Sequence, residues 1–353
     1  MKILESLVFL SAGLALAGLA GFGTPAPQDP PKPVPAPKPE PAPKPEPAPL
    51  PAPKPEDPPE EHRMRDPGAS LRISFLPEAD KEQALKRGEP LAKYLTTTLR
   101  RPMEIVPVSS YAEAVAGMAA NKIDLIWVDA PHALAAHEAT KRRCQPVATT
   151  EEDFSAKVYW IANKRHLTEG TFPALAERKS MPLTDLAACK AKFATLSFSF
   201  GEKSSLSGHL MPRYFLEAAE VGIDPERGFK SKPAYAGAGG TAKLIADVGS
   251  GALDLAVVEA GAWEAAKGEL QADAPVVYVS PEFLRQCFVI HYRAGPTFPL
   301  RLMKAFITLK PENPEHKAVL EMFGTQKFRT ADLHHLEGLR AVSASAKERG
   351  LLE

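Results

Sequence analysis

Three serines, Ser204, Ser205 and Ser207, lie immediately before an apolar run that is typical of a helix. The first amide groups of a helix have no partner within it and carry the positive end of the helix dipole, so a helix start attracts anions. Serine hydroxyls add donors there without blocking the backbone. The segment predicts an oxyanion site formed by these serines, Gly208, His209 and the amides of residues 205–209. A plain N-cap without a ligand is the alternative interpretation.

Further candidate ligand residues follow predicted strands. Asp129 and His132 come after a strand that ends at Val128, and Tyr235 and Glu259 follow strands further along the chain. Ligands of open α/β sheets bind beyond the carboxyl ends of the strands, so these four side chains are predicted to line one cleft. Glu259 has a second interpretation as a solvated acid at a helix start.

The sequence does not indicate a catalytic or metal site. His132 and His137 are five residues apart, unlike the i, i+4 pair of a metal-binding helix. Ser207 lacks the flanking glycine pattern of a nucleophile elbow, and there is no phosphate loop or dinucleotide fingerprint. The three cysteines have neither zinc nor dithiol spacing; one disulfide or buried, unpaired thiols are the open alternatives. We expect no cofactor, no metal and no enzyme activity.

The elements that must position these residues begin after residue 70, where short apolar runs alternate with amphipathic stretches. Strands are predicted at residues 71–75, 103–108, 124–128, 158–162, 193–198, 232–235, 253–258, 276–279 and 287–292, and helices at 82–99, 111–120, 131–139, 208–220, 241–248, 299–308 and 314–323. This alternation predicts parallel sheets with helices on both faces. Two such series predict an α/β fold with two lobes, a ligand cleft between them, and chain crossings near residues 156–163 and 280–287.

Several segments resemble one family in order and spacing. Residues 207–216, SGHLMPRYFL, are similar to the segment after the phosphonate-binding turn of PhnD-like proteins, the substrate-binding components of phosphate, phosphite and phosphonate ABC importers. Similarity continues in LRISFLP at 71–77, EPLAKYL at 89–95, residues 108–138, GIDP at 222–225 and GALDLAVV at 251–258. The resemblance implies a type 2 periplasmic-binding-protein-like fold that closes about a hinge. It also implies a monomer that captures a small phosphate- or phosphonate-like anion for an ABC permease.

The chain departs from the family pattern at several ligand positions, including Ala156 at the first crossing, where the family commonly has tyrosine. Leu206 stands where the family usually has threonine, Ala133 where tyrosine is common, and Gly239 where histidine is expected. A different small anion, or an amine-bearing ligand opposite Asp129 or Glu259, therefore remains an alternative. So do a sensor or binding module without transport and, less favoured, an enzyme on the same scaffold.

The N-terminal part predicts export. Residues 1–23 resemble a signal peptide with cleavage after Ala20, and a retained membrane anchor is the alternative. Residues 24–69 form a proline-rich linker in which PAPKPE recurs, and we expect an extended spacer. Residues 70–160 and 285–340 are assigned to lobe 1, 161–284 to lobe 2 and 341–353 to a C-terminal tail. We expect a periplasmic protein that contacts the membrane only through an uncleaved N-terminal segment.

The net charge of the chain bears on whether nucleic acid is a partner. The chain has 43 basic and 43 acidic side chains, a formal net charge of zero, which does not favour nucleic acid as a partner. Any anion selectivity must therefore be local.

Overall fold

The computed structural model describes residues 66, 68–75, 80–173, 175, 177–237 and 239–350. The predicted signal segment and almost all of the predicted linker lie outside these residues. The strands are β1 Leu71–Ser74, β2 Met103–Ile105, β3 Leu125–Asp129, β4 Cys144–Thr150, β5 Val158–Ala162, β6 Phe198–Phe200, β7 Ala234–Tyr235, β8 Leu255–Glu259, β9 Val276–Val279, β10 Gln286–His291 and β11 Phe328–Thr330.

The helices cover both sheets. They are α1 Lys81–Leu99, α2 Tyr111–Ala119, α3 Ala130–Ala139, α4 Glu151–Phe154, α5 Arg165–Thr168, α6 Leu183–Ala188, α7 Lys190–Phe193, α8 Met211–Glu217, α9 Gly240–Ser250, α10 Ala260–Glu264, α11 Gly268–Asp273, α12 Phe298–Ile307, α13 Pro314–Met322, α14 His334–Glu337 and α15 Arg340–Glu348. A π-helical turn, Leu206–Leu210, precedes α8, and a 3₁₀ turn, Tyr292–Ala294, follows β10.

Two sheets define two lobes. The sheet of lobe 1 has the order β11-β4-β10-β3-β1-β2, and that of lobe 2 has the order β7-β6-β8-β5-β9. β1, β2 and β3 are mutually parallel, as are β6, β7 and β8, but β5 and β10 run antiparallel to their neighbours. The sheets are therefore mixed and not wholly parallel, because the chain enters each lobe from the cleft side along β5 or β10.

The two crossings between the lobes pair with each other. They span residues 151–157 and 280–285, so the first lies a few residues earlier than the predicted 156–163. Ala156 and Phe283 exchange backbone hydrogen bonds of 3.1 and 3.0 Å, and the Arg285 amide donates to the Asp153 carbonyl at 2.8 Å. The hinge is thus a short two-stranded ribbon.

Apolar side chains fill each lobe. Trp127, Phe288 and Phe306 are buried in the core of lobe 1, and Ile161 and Val258 in lobe 2. A further buried cluster contains residues of both lobes, including side chains of α2 and α3 in lobe 1 and of α8 in lobe 2. The strand side chains are buried on both faces, as in sheets covered by helices on both sides. β3 and β8 end at the cleft, whereas β10 begins there.

The C-terminal segment is helical where the sequence predicted a tail. Val342 and Ala346 of α15 are buried. Lys347 forms an ion pair of 3.1 Å with Glu138 of lobe 1, and Arg349 one of 3.0 Å with Glu217 of lobe 2. The last helix therefore contacts both lobes.

The cysteines form no disulfide in the part of the chain that the structure describes. All three cysteines are free, with Cys144 and Cys287 buried. Burial raises the pKa of the Cys144 thiol to about 12, so this thiol is unreactive.

None of the described helices combines the length and apolar character needed to span a bilayer. These residues also contain no group of three or more side chains suited to a metal ion.

Candidate functional site between the lobes

A cavity of about 1120 Å³ lies between the lobes at the carboxyl ends of the strands. Its walls are formed by the start of α2, the end of β3, residues 202–207, the end of β8 and the second crossing. Six of the nine predicted ligand residues line it: Ser204, Ser205, Ser207, Asp129, His132 and Glu259. The other three, Gly208, His209 and Tyr235, are not part of the lining.

The serine segment forms a helix start whose amides are already partly occupied. Ser205 is the N-cap, and its hydroxyl accepts from the Gly208 amide at 2.9 Å. The Ser205 amide donates to the Glu202 carbonyl at 3.0 Å, and the His209 amide donates to the Ser205 carbonyl at 3.0 Å. The prediction that all amides from 205 to 209 face an anion is therefore wrong. Among the described residues, the amides of Leu206 and Ser207 donate no hydrogen bond.

The Ser207 hydroxyl is the polar group of this segment that lacks a partner. Ser207 is 2% exposed, and its Oγ has no hydrogen-bond partner among the described residues. A buried polar group without a partner costs free energy, and such groups are rare in folded proteins. This hydroxyl therefore has unused hydrogen-bonding capacity, and Ser207 belongs to the cavity lining together with Leu206.

Gly208 allows the turn to pack closely against the preceding strand exit. The Gly201 amide donates to the Gly208 carbonyl at 2.7 Å. A Cβ at Gly208 would lie 3.0 Å from the Glu202 amide nitrogen and 3.1 Å from the Gly201 Cα. Glycine is therefore needed at position 208 because two backbone segments approach closely there, and not because a ligand must reach its amide.

The buried His209 and the half-buried Tyr235 form a pair behind the cavity wall. The His209 Nδ1 lies 2.8 Å from the Lys203 carbonyl, which only accepts, so Nδ1 carries the proton. Nε2 then accepts from the Tyr235 hydroxyl at 3.3 Å. Burial lowers the pKa of His209 to about 4. The ring is therefore neutral and supports residues 203–209 from behind.

In lobe 1, Asp129 is the N-cap of α3. Its carboxylate accepts from the His132 amide at 2.9 Å and contacts the His132 Nδ1 at 2.6 Å. The start of a helix favours such a negative charge. The His132 ring packs on the Tyr111 ring, with centroids 5.5 Å apart. Both predicted residues line the cavity, but the Asp129 carboxylate is engaged with its own helix.

Tyr111 also lines the cavity and was not among the predicted ligand residues. The Gln286 side-chain amide donates to its hydroxyl, so the tyrosine proton is available to another acceptor. Burial, followed by the charges of Asp129 and Asp153, raises the pKa of Tyr111, so it remains a donor at neutral pH. One sequence signal could have identified Tyr111 as a ligand residue: it is the first residue of α2, directly after the N-cap Ser110, in the segment that follows β2.

Arg285 is the second residue that the sequence prediction missed. Its Nε lies 2.5 Å from Asp153 Oδ1, and its Nη1 lies 2.9 Å from Glu259 Oε2. Burial lowers the pKa of Arg285, but these two carboxylates outweigh it and leave the pKa raised. The guanidinium is therefore charged and lies at the cavity wall. No local sequence pattern marks this arginine, because both partners come from distant parts of the chain.

Comparisons with known proteins agree on one family. A family model described as the periplasmic substrate-binding protein of a phosphonate ABC transporter matches residues 73–336. The chain is 25% identical over 281 residues to a probable phosphite-binding protein of an ABC transporter from Prochlorococcus marinus (strain MIT 9301), covering 77% of this chain and 88% of the relative.

Solved structures show the same fold. The Prochlorococcus marinus protein in complex with methylphosphonate has a TM-score of 0.57 and 24% identity, covering 80% of this chain and all of that one. A binding component of a phosphonate ABC transporter from Pseudomonas aeruginosa has a TM-score of 0.51 and 20% identity, covering 80% and 88%.

Proposed function

Because the chain belongs to the family of periplasmic phosphonate-binding proteins of ABC transporters, we propose that its interlobe cavity captures a small phosphorus oxyanion through the serine turn. The protein is a periplasmic substrate-binding protein. The finer proposal concerns which groups hold the ligand and which ligand they prefer.

One observation carries the proposal: among the described residues, the buried Ser207 hydroxyl has no partner, and the Leu206 and Ser207 amides donate no hydrogen bond. An oxyanion stripped of water needs several donors, and hydrogen bonds to a charged group are stronger than those between neutral groups. The Leu206 and Ser207 amides, the Ser207 hydroxyl and the Tyr111 hydroxyl are donors from both lobes. Ser204 and Ser205 shape the same wall, the latter as the N-cap.

Acidic side chains support a second ligand class. Asp129, Glu202 and Glu259 line the cavity together with two cations, Lys203 and Arg285. An anion that also bears an amine would place its positive group near a carboxylate, whereas a doubly charged anion would be repelled. An aminoalkylphosphonate is therefore the second candidate, in the same cavity and with the same serine turn.

Delivery to an ABC permease completes the proposed role. We infer that the protein acts as a monomer, without catalysis, and releases its ligand when the lobes separate about the two crossings. We also propose that the proline-rich segment acts as a spacer, and as a tether if the N-terminal segment is retained.

Calorimetric titration of the purified full chain tests the proposal. Phosphite, methylphosphonate, phosphate and 2-aminoethylphosphonate are compared with sulfate and glycine. Binding of at least one phosphorus compound and not of sulfate or glycine supports the proposed site, and ligand should raise the melting temperature in proportion to ln(1 + [L]/Kd). Tightest binding of 2-aminoethylphosphonate favours the second candidate, and binding of none of the phosphorus compounds refutes both.

A further inference from the structure

We propose that Arg285 is a positioning residue that neutralises Glu259 at the cavity wall and thereby permits an oxyanion to bind at the serine turn. This inference rests on the proposed function, and it names a residue that controls affinity without forming part of the anion-binding turn.

The charges at the cavity wall make such neutralisation necessary. Three carboxylates, Asp129, Glu202 and Glu259, line the cavity against two cations, Lys203 and Arg285. Helix α3 and His132 offset the charge of Asp129. Helix α10 begins directly after Glu259, but Glu259 makes no capping hydrogen bond to it. Its ion pair with Arg285 is therefore the main local compensation for its charge.

Arg285 is held in place from several directions. Its amide donates to the Asp153 carbonyl, and its carbonyl accepts from the Ala130 amide at 2.9 Å. Its guanidinium contacts the Asp153 carboxylate, which is 3% exposed and also accepts from the Thr150 hydroxyl at 2.7 Å. The backbone of Arg285 is thus tied to the hinge and to lobe 1, whereas one guanidinium nitrogen extends to Glu259 of lobe 2.

This arrangement links charge balance to the relative position of the lobes. Glu259 belongs to lobe 2, so separation of the lobes would draw it away from Arg285. When one partner of a partly buried ion pair is withdrawn, the other charge is left uncompensated. An uncompensated charge costs more free energy than the intact pair. The cavity therefore accommodates an anion best when the lobes are close enough for the Arg285–Glu259 pair to form.

A double-mutant cycle tests the inference by calorimetric titration of the full chain with phosphite and methylphosphonate. R285Q exposes the ligand to an unpaired Glu259 and is expected to weaken binding about tenfold or more. E259Q alone removes a repulsive charge and is expected to tighten binding. In R285Q/E259Q the repulsion from Glu259 is gone. Asp153 also loses its cation, but it is not in the cavity lining and keeps its hydrogen bond from Thr150, so the affinity should return to within about threefold of wild type.

The controls separate neutralisation from other roles of Arg285. Lys157 and Glu282 form a 3.0 Å ion pair between the same two crossings and are not in the cavity lining, so K157Q should leave affinity unchanged. If R285Q does not fold, as judged by its melting curve, R285K replaces it. Lysine keeps the positive charge, so R285K should bind within about threefold of wild type; a loss of tenfold or more would mean that the guanidinium binds the ligand directly and would overturn the inference.

Each outcome decides between explanations. A double variant as weak as R285Q means that Arg285 binds the ligand directly, which overturns the inference and leaves the proposed function intact. An unchanged affinity in R285Q overturns it as well. A wild-type protein that binds neither probe overturns the inference; the proposed function fails with it only if phosphate and 2-aminoethylphosphonate do not bind either.

Discussion

Replacement of Ser207 by alanine should separate affinity from stability. The Ser207 hydroxyl is buried and has no partner among the described residues. In the ligand-free protein, alanine removes this desolvated group, so the free energy of unfolding should be unchanged or higher by up to about 1 kcal/mol. With an oxyanion bound, the variant loses a hydrogen bond to a charged acceptor, which contributes about 1.5–3 kcal/mol. The Kd should therefore rise about 10- to 150-fold.

Two measurements check this prediction. Urea denaturation without ligand gives the free energy of unfolding, and calorimetric titration with the tightest phosphorus ligand gives the Kd. Ser250→Ala is a matched control, because the Ser250 hydroxyl is exposed and donates only to the Asp247 carbonyl, at 3.1 Å, on α9. The reasoning is refuted if Ser207→Ala binds as tightly as wild type. A loss of more than 1 kcal/mol of ligand-free stability would also refute it, by showing that the hydroxyl has a structural role.

Three further predictions concern the same cavity wall. Ser205→Ala removes the cap on the Gly208 amide, so denaturation without ligand should show a loss of about 1 kcal/mol, the opposite sign to Ser207→Ala. Tyr111→Phe removes a donor from lobe 1 and should raise the Kd about tenfold in titrations, with no effect if the hydroxyl does not reach the ligand. Burial holds the pKa of His209 at about 4, below its usual 6.5, so the unfolded chain takes up a proton first as pH falls. Stability should then fall between about pH 6.5 and 4, by up to about 3 kcal/mol for this group, and His209→Gln should show a shallower fall in pH-dependent denaturation.

The fold was largely predictable because its strands are short, apolar and followed by amphipathic helices. β4 was missed, since CQPVATT contains a proline and no alternation. Proline removes a ladder donor and argues against a central strand. The structure accommodates Pro146 where the pairing of β10 shifts register, between Phe288 and Val289. This compensation lies on another strand and has no local signal.

The candidate site was likewise predictable only where its features are encoded by neighbouring residues. The serine turn was predictable because a helix start and its cap are encoded within a few consecutive residues. Tyr111 and Arg285 were missed because their environment is assembled from separate crossings and strands. The burial of His209 between Phe200 and Tyr235 likewise depends on a tertiary ring cluster, with ring centroids 4.8 and 4.9 Å away. A histidine next to a predicted turn therefore gave no indication that it would face inward.

The position of the last helix affects how the protein can be labelled. Helix α15 contacts both lobes, and Gly350, two residues after it, lines the cavity. A fluorophore attached near residue 350 would therefore report ligand entry directly, through its own surroundings.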